Sequence, residues 1–293
     1  MAQRNENAPG LIQARHRGEL TAAEFGFTTL PINLLEIAGK VGIVIQAKRT
    51  TGGVSGMLLR SGDNFGILYA THIRSPGFQR FSIGHELGHY FLPGHIDAVL
   101  GDGNIHQSRA GFTSGDKYEM EADYFAAGLL MPQKLFIPAM RPAGEGLAAI
   151  KYLAELCTTS LTATAIRFTQ CSREPVAIVV STGTSIDYCF MSDALRDVDS
   201  IDWIRKREAL PRNTPTFSFN QDPEKVQQAA QLEATSNFRD WFGGHRNIEI
   251  REDVIGLGDY GKTLTVLYEI DIPDEDEDDE EELIESWTPR FRR

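Results

Sequence analysis

The segment HELGH at residues 85–89 limits what this chain can fold into more than any other part of the sequence. Residues four apart on a helix lie on one face, about 6 Å apart along the axis. Two imidazoles at that spacing, here His85 and His89, can bind one Zn²⁺ at about 2.0–2.1 Å each. Glu86 lies beside them, where its carboxylate can polarise water instead of binding the metal. The apolar spacing around this segment predicts an amphipathic helix over residues 83–91.

A catalytic zinc site also needs a third protein ligand and an open position for water. The sequence predicts a second helix over Lys117–Leu130, and Glu119 in its first turn is the preferred third ligand. Asp123, four residues further on, lies on the same helical face. We expect it to hydrogen-bond a ligating histidine and so fix the tautomer of that histidine. The Glu119–Asp123 pair is similar to the arrangement found in thermolysin-like zinc peptidases.

Two other residues stay open as the third ligand. Glu121 points about 200° away from Glu119 around the helix, so only one of the two can reach the metal. His95 follows His89 by six residues, as the third histidine does in metzincins, but Leu92 stands where their chain reversal needs a glycine. Glu119 is preferred because only it has an acid four residues further on.

Two histidines and a glutamate around Zn²⁺ predict hydrolysis of a carbonyl compound. Zinc lowers the pKa of its bound water toward about 7. Glu86 is then expected to take a proton from that water and to pass it to the leaving amine. A further donor is needed for the developing oxyanion, and Tyr90, His95 and His106 are all candidates between which the sequence does not choose.

A predicted hairpin suggests how a substrate is held. Residues 54–60 and 65–70 have the composition of strands, and the turn signal SGDN lies between them. The strand at residues 65–70 is expected to present an edge to which an extended chain adds as a further strand. Such a mode of binding favours peptides over small molecules.

The sequence resembles the ImmA/IrrE family of metallopeptidases. Three segments carry the resemblance: GVSGMLL at residues 53–59, RFSIGHELGHYFL at residues 80–92 and EMEADYFAAGLLMP at residues 119–132. It covers roughly residues 30–140. The resemblance implies zinc ligands at His85, His89 and Glu119, with Glu86 as the catalytic base.

The resemblance also implies an α+β protein in several parts. These are an N-terminal extension (1–29), a zinc peptidase-like domain with a small antiparallel sheet (30–140), a helical linker like a helix-turn-helix (141–174), a GAF-like sensor domain (175–271) and an acidic tail (272–293). The residue patterns agree in part, because two short helices are predicted over residues 144–170. After residue 175 the patterns predict strands at residues 176–180, 186–191, 216–219, 248–250 and 263–270, and a helix at 223–242.

The function implied by the resemblance is cleavage of a partner transcriptional repressor of the Xre helix-turn-helix type. Cleavage would release genes for the DNA-damage response, mobile-element transfer or phage defence, with single-stranded DNA as a possible activator. Two alternatives stay open: a non-catalytic metal-binding sensor that sequesters the repressor, and a broad-specificity peptidase for which His95 would be a ligand. An intact Glu86 speaks against the sensor, because pure binding needs no base.

Charge and cysteine content bound the remaining classes of function. Residues 271–293 hold eleven acids and three arginines, so they carry −8 of the net charge of −12, and residues 1–10 are expected to be disordered. The pair of helices at residues 144–170 carries few cations, which disfavours duplex DNA binding; a small basic cluster at residues 205–207 could contact single strands. Three widely spaced cysteines and no apolar leader predict a cytoplasmic protein with reduced thiols.

Overall fold

The computed structural model describes residues 8–50, 53–109 and 115–272. The chain divides into two compact units, Met1–Cys171 and Ser172–Arg293. Among the helices in the described ranges, none combines the length and apolarity needed to cross a membrane. The predicted acidic tail lies outside these ranges, apart from Ile272, and so does most of the N-terminal segment expected to be disordered.

The first unit consists of eight helices and a four-stranded sheet within the described residues. Its helices are α1 (Pro9–Glu24), α2 (Leu34–Lys40), α3 (Pro76–Phe91), α4 (His95–Leu100), α5 (Lys117–Leu130), α6 (Gln133–Met140), α7 (Gly146–Cys157) and α8 (Leu161–Cys171). Its strands are β1 (Val44–Lys48), β2 (Gly56–Ser61), β3 (Asn64–Ala70) and β4 (Ile105–Ser108). The predicted helix over Lys117–Leu130 is confirmed with the predicted bounds.

Local capping explains where the two site-bearing helices begin. The Ser75 hydroxyl accepts a hydrogen bond from the Phe78 amide at the start of α3, and Pro76 occupies the first helical position. The Asp116 carboxylate accepts hydrogen bonds from the amides of Tyr118 and Glu119 at the start of α5. Glu119 is therefore fixed in the first turn of its helix.

The sheet has the order β1-β3-β2-β4. The antiparallel β2–β3 hairpin is confirmed, but β1 pairs with β3 in parallel, so the sheet is mixed and not antiparallel throughout as predicted. The prediction that the strand at residues 65–70 presents a free edge is wrong, because β1 occupies its second side. The edge strands are β1 and β4.

The N-terminal segment contributes a helix that was not foreseen. α1 packs along α5, and the two backbones approach closely through glycines. A Cβ built on Gly18 would lie 2.2 Å from the carbonyl oxygen of Phe125, and one built on Gly128 would lie 2.1 Å from that of Arg15. Residues 9 and 10, expected to be disordered, already belong to this helix. Thus α1 is a supporting layer of the unit that carries the metal site.

The two short helices predicted at residues 144–170 are confirmed as α7 and α8, and both lie in the first unit. Arg167 of α8 is buried, donates to the carbonyl oxygen of Met131 at 3.0 Å and forms an ion pair with Glu19 of α1. The guanidinium of Arg167 therefore links α8 to α1 and to the end of α5. The comparison with a helix-turn-helix linker stays a prediction.

The second unit is a five-stranded antiparallel sheet with short helices. Its strands are β5 (Ala177–Thr182), β6 (Ser185–Met191), β7 (Gln231–Asn237), β8 (Glu249–Gly256) and β9 (Thr263–Tyr268), in the order β6-β5-β9-β8-β7. Its helices are α9 (Asp193–Arg196), α10 (Pro215–Asn220), α11 (Pro223–Gln227) and α12 (Phe238–Phe242), and a 3₁₀ turn lies at Gly258–Tyr260. Phe238, Trp241 and Phe242 pack into the core of this unit.

Two predictions in this unit are wrong. The segment at residues 216–219, expected to be a strand, lies in α10, because Thr214 caps a helix that begins at Pro215. The helix expected over residues 223–242 is interrupted by β7, whose backbone pairs with β8 along its whole length. Tertiary pairing outweighs the helical preference of this half-exposed, polar stretch. A GAF-like identity for the unit stays a prediction.

Candidate metal centre

The metal centre forms where α3 and α5 cross. His85 and His89 lie one helical turn apart on α3, and Glu119 projects from the first turn of α5. The helices approach closely because α3 has Gly88 at the crossing, where an added Cβ would lie 3.1 Å from the Cα of Ala122. This close approach brings a side chain of α5 within reach of the two histidines.

Three donor atoms converge at this crossing. The Nε2 atoms of His85 and His89 lie 3.1 Å apart, and each lies 3.4 Å from a carboxylate oxygen of Glu119. Ligands about 2.05 Å from a tetrahedral ion are separated by roughly 3.3 Å. The observed separations are close to this value, with His85 facing Oε2 and His89 facing Oε1 of Glu119, and the group can hold one metal ion.

The hydrogen bonds behind the histidines also fit a cation. The Nδ1 of His85 lies 2.8 Å from Asp123 Oδ1, as predicted, and the Nδ1 of His89 lies 3.2 Å from His95 Nδ1. If both Nδ1 atoms donate, the two Nε2 atoms present lone pairs to each other. A positive ion between them stabilises that arrangement. Two imidazoles and one carboxylate are also a donor set known for catalytic zinc.

Burial and hydrogen bonds shift the pKa values of these three groups. Burial lowers the pKa of His85, but hydrogen bonds to Asp123 and Glu119 outweigh it and raise the pKa to about 10. Burial lowers the pKa of His89 to about 3. Burial acts to raise the pKa of Glu119, yet hydrogen bonds from His106, His85 and His89 hold it far below its usual range. Glu119 is thus ionised and available as a ligand.

Glu86 occupies a different environment. Its side chain is fully buried, and neither carboxylate oxygen makes a hydrogen bond of good geometry to a described residue. Burial raises the pKa of Glu86 to about 7, although the neighbouring His85 opposes the shift. Gly56 of β2 makes room for it, since a Cβ there would lie 2.4 Å from Glu86 Oε1. The carboxylate is held beside the three donors with little to neutralise it.

The three candidate oxyanion donors lie in three different places. The Nε2 of His106, on β4, lies 2.9 Å from Glu119 Oε1, so this ring is at the centre. Tyr90 packs edge-on against Phe65 and lines a depression that contains none of the three donors. His95 lies behind His89, on the side away from the metal position. Of the three, only His106 adjoins the open side of the site.

The two alternative third ligands are not part of the cluster. His95 Nε2 lies 2.9 Å from Glu121 Oε2, so these two residues contact each other instead of the metal position. Sequence reasoning treated them as rivals of Glu119 and missed their contact. The spacing could have suggested it, because Glu121 faces away from Glu119 and the chain after His89 returns toward α5.

A surface groove of about 790 Å³ leads to the centre. It is lined by α4, β4 and the beginning of α5: Ala98, Val99, His106, Gln107, Arg109, Asp116, Tyr118 and Glu119. Because Glu119 and His106 belong to this lining, the groove gives solvent and ligands a path to the three donors.

Comparisons with known proteins agree with this geometry. Residues 38–169 match the family model of peptidase family M78, described as the IrrE N-terminal-like domain. A search of curated proteins finds no significant match. A solved structure described as a Mycobacterium tuberculosis transcriptional regulator has a similar fold, with a TM-score of 0.55 and 16% identity over 87% of this chain and 76% of that one.

The family model covers α3 and α5 together with the four-stranded sheet, which is the part of the chain that builds the metal centre. The resemblance to ImmA/IrrE proteins is thereby confirmed for the part of the chain that carries the motifs: residues 38–169 match a peptidase M78 domain of the IrrE N-terminal-like type.

Proposed function

We propose that this chain is a zinc-dependent endopeptidase that cleaves a partner helix-turn-helix repressor at a specific site. One observation carries the proposal. The imidazoles of His85 and His89 and the carboxylate of Glu119 lie 3.1–3.4 Å from one another, and the fully buried Glu86 lies beside them without a hydrogen bond of good geometry. A buried carboxylate left in that state destabilises the fold, and such groups concentrate where catalysis uses them.

His85, His89 and Glu119 would hold the zinc ion. When bound, zinc activates water for attack on a carbonyl and offsets the negative charge that develops on the carbonyl oxygen. Glu86 takes the proton from the attacking water and delivers it to the leaving amine. Its raised pKa of about 7 suits a group that must accept and release a proton near neutrality.

His106 is the chain's own donor to the developing oxyanion in this proposal. It lies on β4 at the rim of the groove, with its Nε2 directed at the Glu119 carboxylate. A small rotation of the ring would direct the same N–H at a substrate oxygen beside Glu119. Preorganised donors of this kind contribute about 10²–10³ in rate.

The edge strand β4 offers the place for an extended substrate. β4 pairs with β2 along one side, and no other strand of the described residues pairs with its second side. His106 and Gln107 of β4 line the groove that reaches Glu119. A peptide that adds to this edge would pass the metal centre with its backbone hydrogen-bonded to the enzyme.

The identity of the substrate rests on the family resemblance. The similar structure from Mycobacterium tuberculosis is described as a transcriptional regulator, which is consistent with a role in transcription. Genes of the stress, DNA-damage, mobile-element and anti-phage responses are the proposed targets. Single-stranded DNA stays a proposed activator, although Arg167, one of the few cations of the α7–α8 pair, is buried by packing.

The test is cleavage of a helix-turn-helix repressor, to be sought among the proteins encoded by the neighbouring genes. The two proteins are co-expressed, and products are identified by intact mass. We expect a single cut with wild type and none with Glu86→Gln, which should still bind zinc. Tyr90→Phe is the matched control, because Tyr90 lies outside the centre, and it should cut normally.

Two results would contradict the proposal. Derepression by Glu86→Gln without any cut would show that binding alone is sufficient, as in the sensor alternative. Rapid digestion of casein would show a broad-specificity peptidase.

A further inference from the structure

We infer that His95 and Glu121 form a positioning pair for the metal ligand His89. The pair would hold the ring of His89 in the tautomer and orientation that direct its Nε2 at the metal. This inference rests on the proposed metal site, but it does not depend on peptide cleavage or on any particular substrate.

The geometry of the three side chains sets the direction of each hydrogen bond. His89 Nε2 faces His85 and Glu119, so when it binds the metal its lone pair points there and its proton sits on Nδ1. That Nδ1 lies 3.2 Å from His95 Nδ1, which must therefore accept. His95 then carries its proton on Nε2, which lies 2.9 Å from Glu121 Oε2 and donates to it. In this series, which runs from the Glu121 carboxylate through His95 and His89 to the metal position, every donor therefore faces one acceptor.

The pair is enclosed by neighbouring residues, which restrict the conformations of both side chains. His95 is 2% exposed and the side chain of Glu121 is 13% exposed. The ring of Tyr118 packs edge-on against His95, with ring centroids 5.0 Å apart. Lys117 Nζ lies 3.7 Å from the second carboxylate oxygen of Glu121, and a Cβ built on Gly10 of α1 would lie 2.7 Å from the same oxygen. Water has little access with which to replace either hydrogen bond.

The two ligand histidines are thus supported in different ways. His85 donates directly to the carboxylate of Asp123 at 2.8 Å. His89 is linked to its carboxylate through a second imidazole. Partners that orient a ligating histidine typically account for 10–100-fold in metal affinity. The His95–Glu121 pair is expected to have an effect in that range.

The test measures zinc affinity of the full-length protein by competition with a chromogenic chelator. His95→Leu removes both hydrogen bonds and should weaken zinc binding 10–100-fold. His95→Gln keeps one acceptor and one donor, and should restore affinity to within about threefold of wild type. Asp97→Asn, an exposed position on the same helix, is the matched control and should not change affinity.

Two further measurements separate positioning from simple packing. Glu121→Leu should weaken zinc binding like His95→Leu. The double variant should bind zinc with nearly the same affinity as either single variant, because the two residues belong to one series of hydrogen bonds. Co²⁺ in the site should give a visible spectrum that shifts in His95→Leu and returns in His95→Gln. If His95→Leu fails to fold, Glu121→Leu and His95→Gln carry the test.

The outcomes are distinct from those of the cleavage assay. Unchanged zinc affinity in His95→Leu or Glu121→Leu overturns the inference. Complete loss of zinc in both His95→Leu and His95→Gln also overturns it, because His95 would then be a ligand. A wild type that binds no zinc overturns the inference and the metal site together. Weakened zinc binding in a protein that cuts nothing supports the inference and contradicts only the proposed function.

Discussion

Two glutamates, one in each unit, are fully buried, and their surroundings are opposite. In the second unit, Glu252 accepts hydrogen bonds from the amide and the hydroxyl of Thr216 at 2.6 and 2.7 Å, and from the indole of Trp241 at 2.7 Å. In the first unit, Glu86 has no hydrogen bond of comparable geometry, and burial raises its pKa to about 7. The glutamate of the second unit thus has hydrogen-bond donors on both oxygens, whereas in the first unit desolvation dominates the pKa of the glutamate.

The comparison distinguishes a buried carboxylate that stabilises the fold from one whose burial is unfavourable. Glu252 connects β8 to α10 and α12, so its donors explain its burial without any ligand. Glu86 has no such set of donors: the charge of His85 and the hydroxyl of Ser108 favour its ionised form, but burial outweighs both and lowers stability. The proposed role of Glu86 as a base beside the three possible metal ligands would account for this burial.

The largest effect is expected for catalysis at Glu86. Glu86→Gln keeps the shape of the side chain but removes the base, so kcat/KM for cleavage should fall by about 10²–10⁴. Zinc content, measured by atomic emission, should stay at the wild-type level, because Glu86 is not among the three donors. Cleavage at more than a tenth of the wild-type rate would contradict the role of base.

The next effect concerns the stability of the second unit. Glu252→Gln turns one acceptor oxygen into a donor that faces the N–H of Trp241 or Thr216, and should lower the free energy of unfolding by about 3 kcal/mol. Hydrogen exchange of the β8 amides measures it. Glu249→Gln, exposed on the same strand, is the matched control and should stay within about 0.5 kcal/mol. Equal effects at both positions would remove the contrast with Glu86.

In the metal-free protein, Glu86→Gln should raise the free energy of unfolding, whereas Glu252→Gln should lower it. Its pKa is about 7 when folded, against an ordinary value of 4.5, so the folded state holds the proton more tightly. Between these pH values the unfolded chain loses its proton first, and stability falls as pH rises. Glu86→Gln avoids this loss.

The variant should therefore match wild type below about pH 4 and exceed it by about 3 kcal/mol at pH 8, as measured by urea unfolding without zinc. Parallel curves for the two proteins would show that burial of Glu86 does not destabilise the fold.

The smallest effect on stability is expected when Glu252 loses one of its hydrogen-bond donors and so becomes more like Glu86. Trp241→Phe keeps an aromatic ring in the core but removes the N–H that Glu252 Oε2 accepts. Stability should fall by about 1–2 kcal/mol. Trp203→Phe is the control, because Trp203 is 47% exposed in the same unit, and it should have little effect. Equal losses would show that the indole matters through its size alone.

The centre of the site could be predicted because its information is local. The histidine spacing and the acid four residues beyond Glu119 are properties of single helices. Both segments are helical as expected, although α3 begins at Pro76, seven residues before its predicted start. The roles assigned to Glu86 and Asp123 stay predictions, although Asp123 hydrogen-bonds His85 as expected.

The remaining features depend on contacts between distant segments. The edge of the sheet was misplaced because β1 pairs with β3 in parallel, and nothing in the strand at residues 65–70 signals a second partner. β7 was read as helix because its pairing with β8, not its own composition, determines its form. The contact between His95 and Glu121 joins two elements that the sequence presented as alternatives.

The backbone contact between α1 and α5 has a practical consequence for anyone who shortens this protein. A fragment cut at residue 30, the natural choice from motif alignment, would leave α5 without the helix that lies against Gly128. The backbone of Phe125, Gly128 and Leu129 would then lose this cover on the helix that carries Glu119. Such a fragment should aggregate and bind metal poorly, so an inactive truncated preparation says nothing about the activity of the full-length protein.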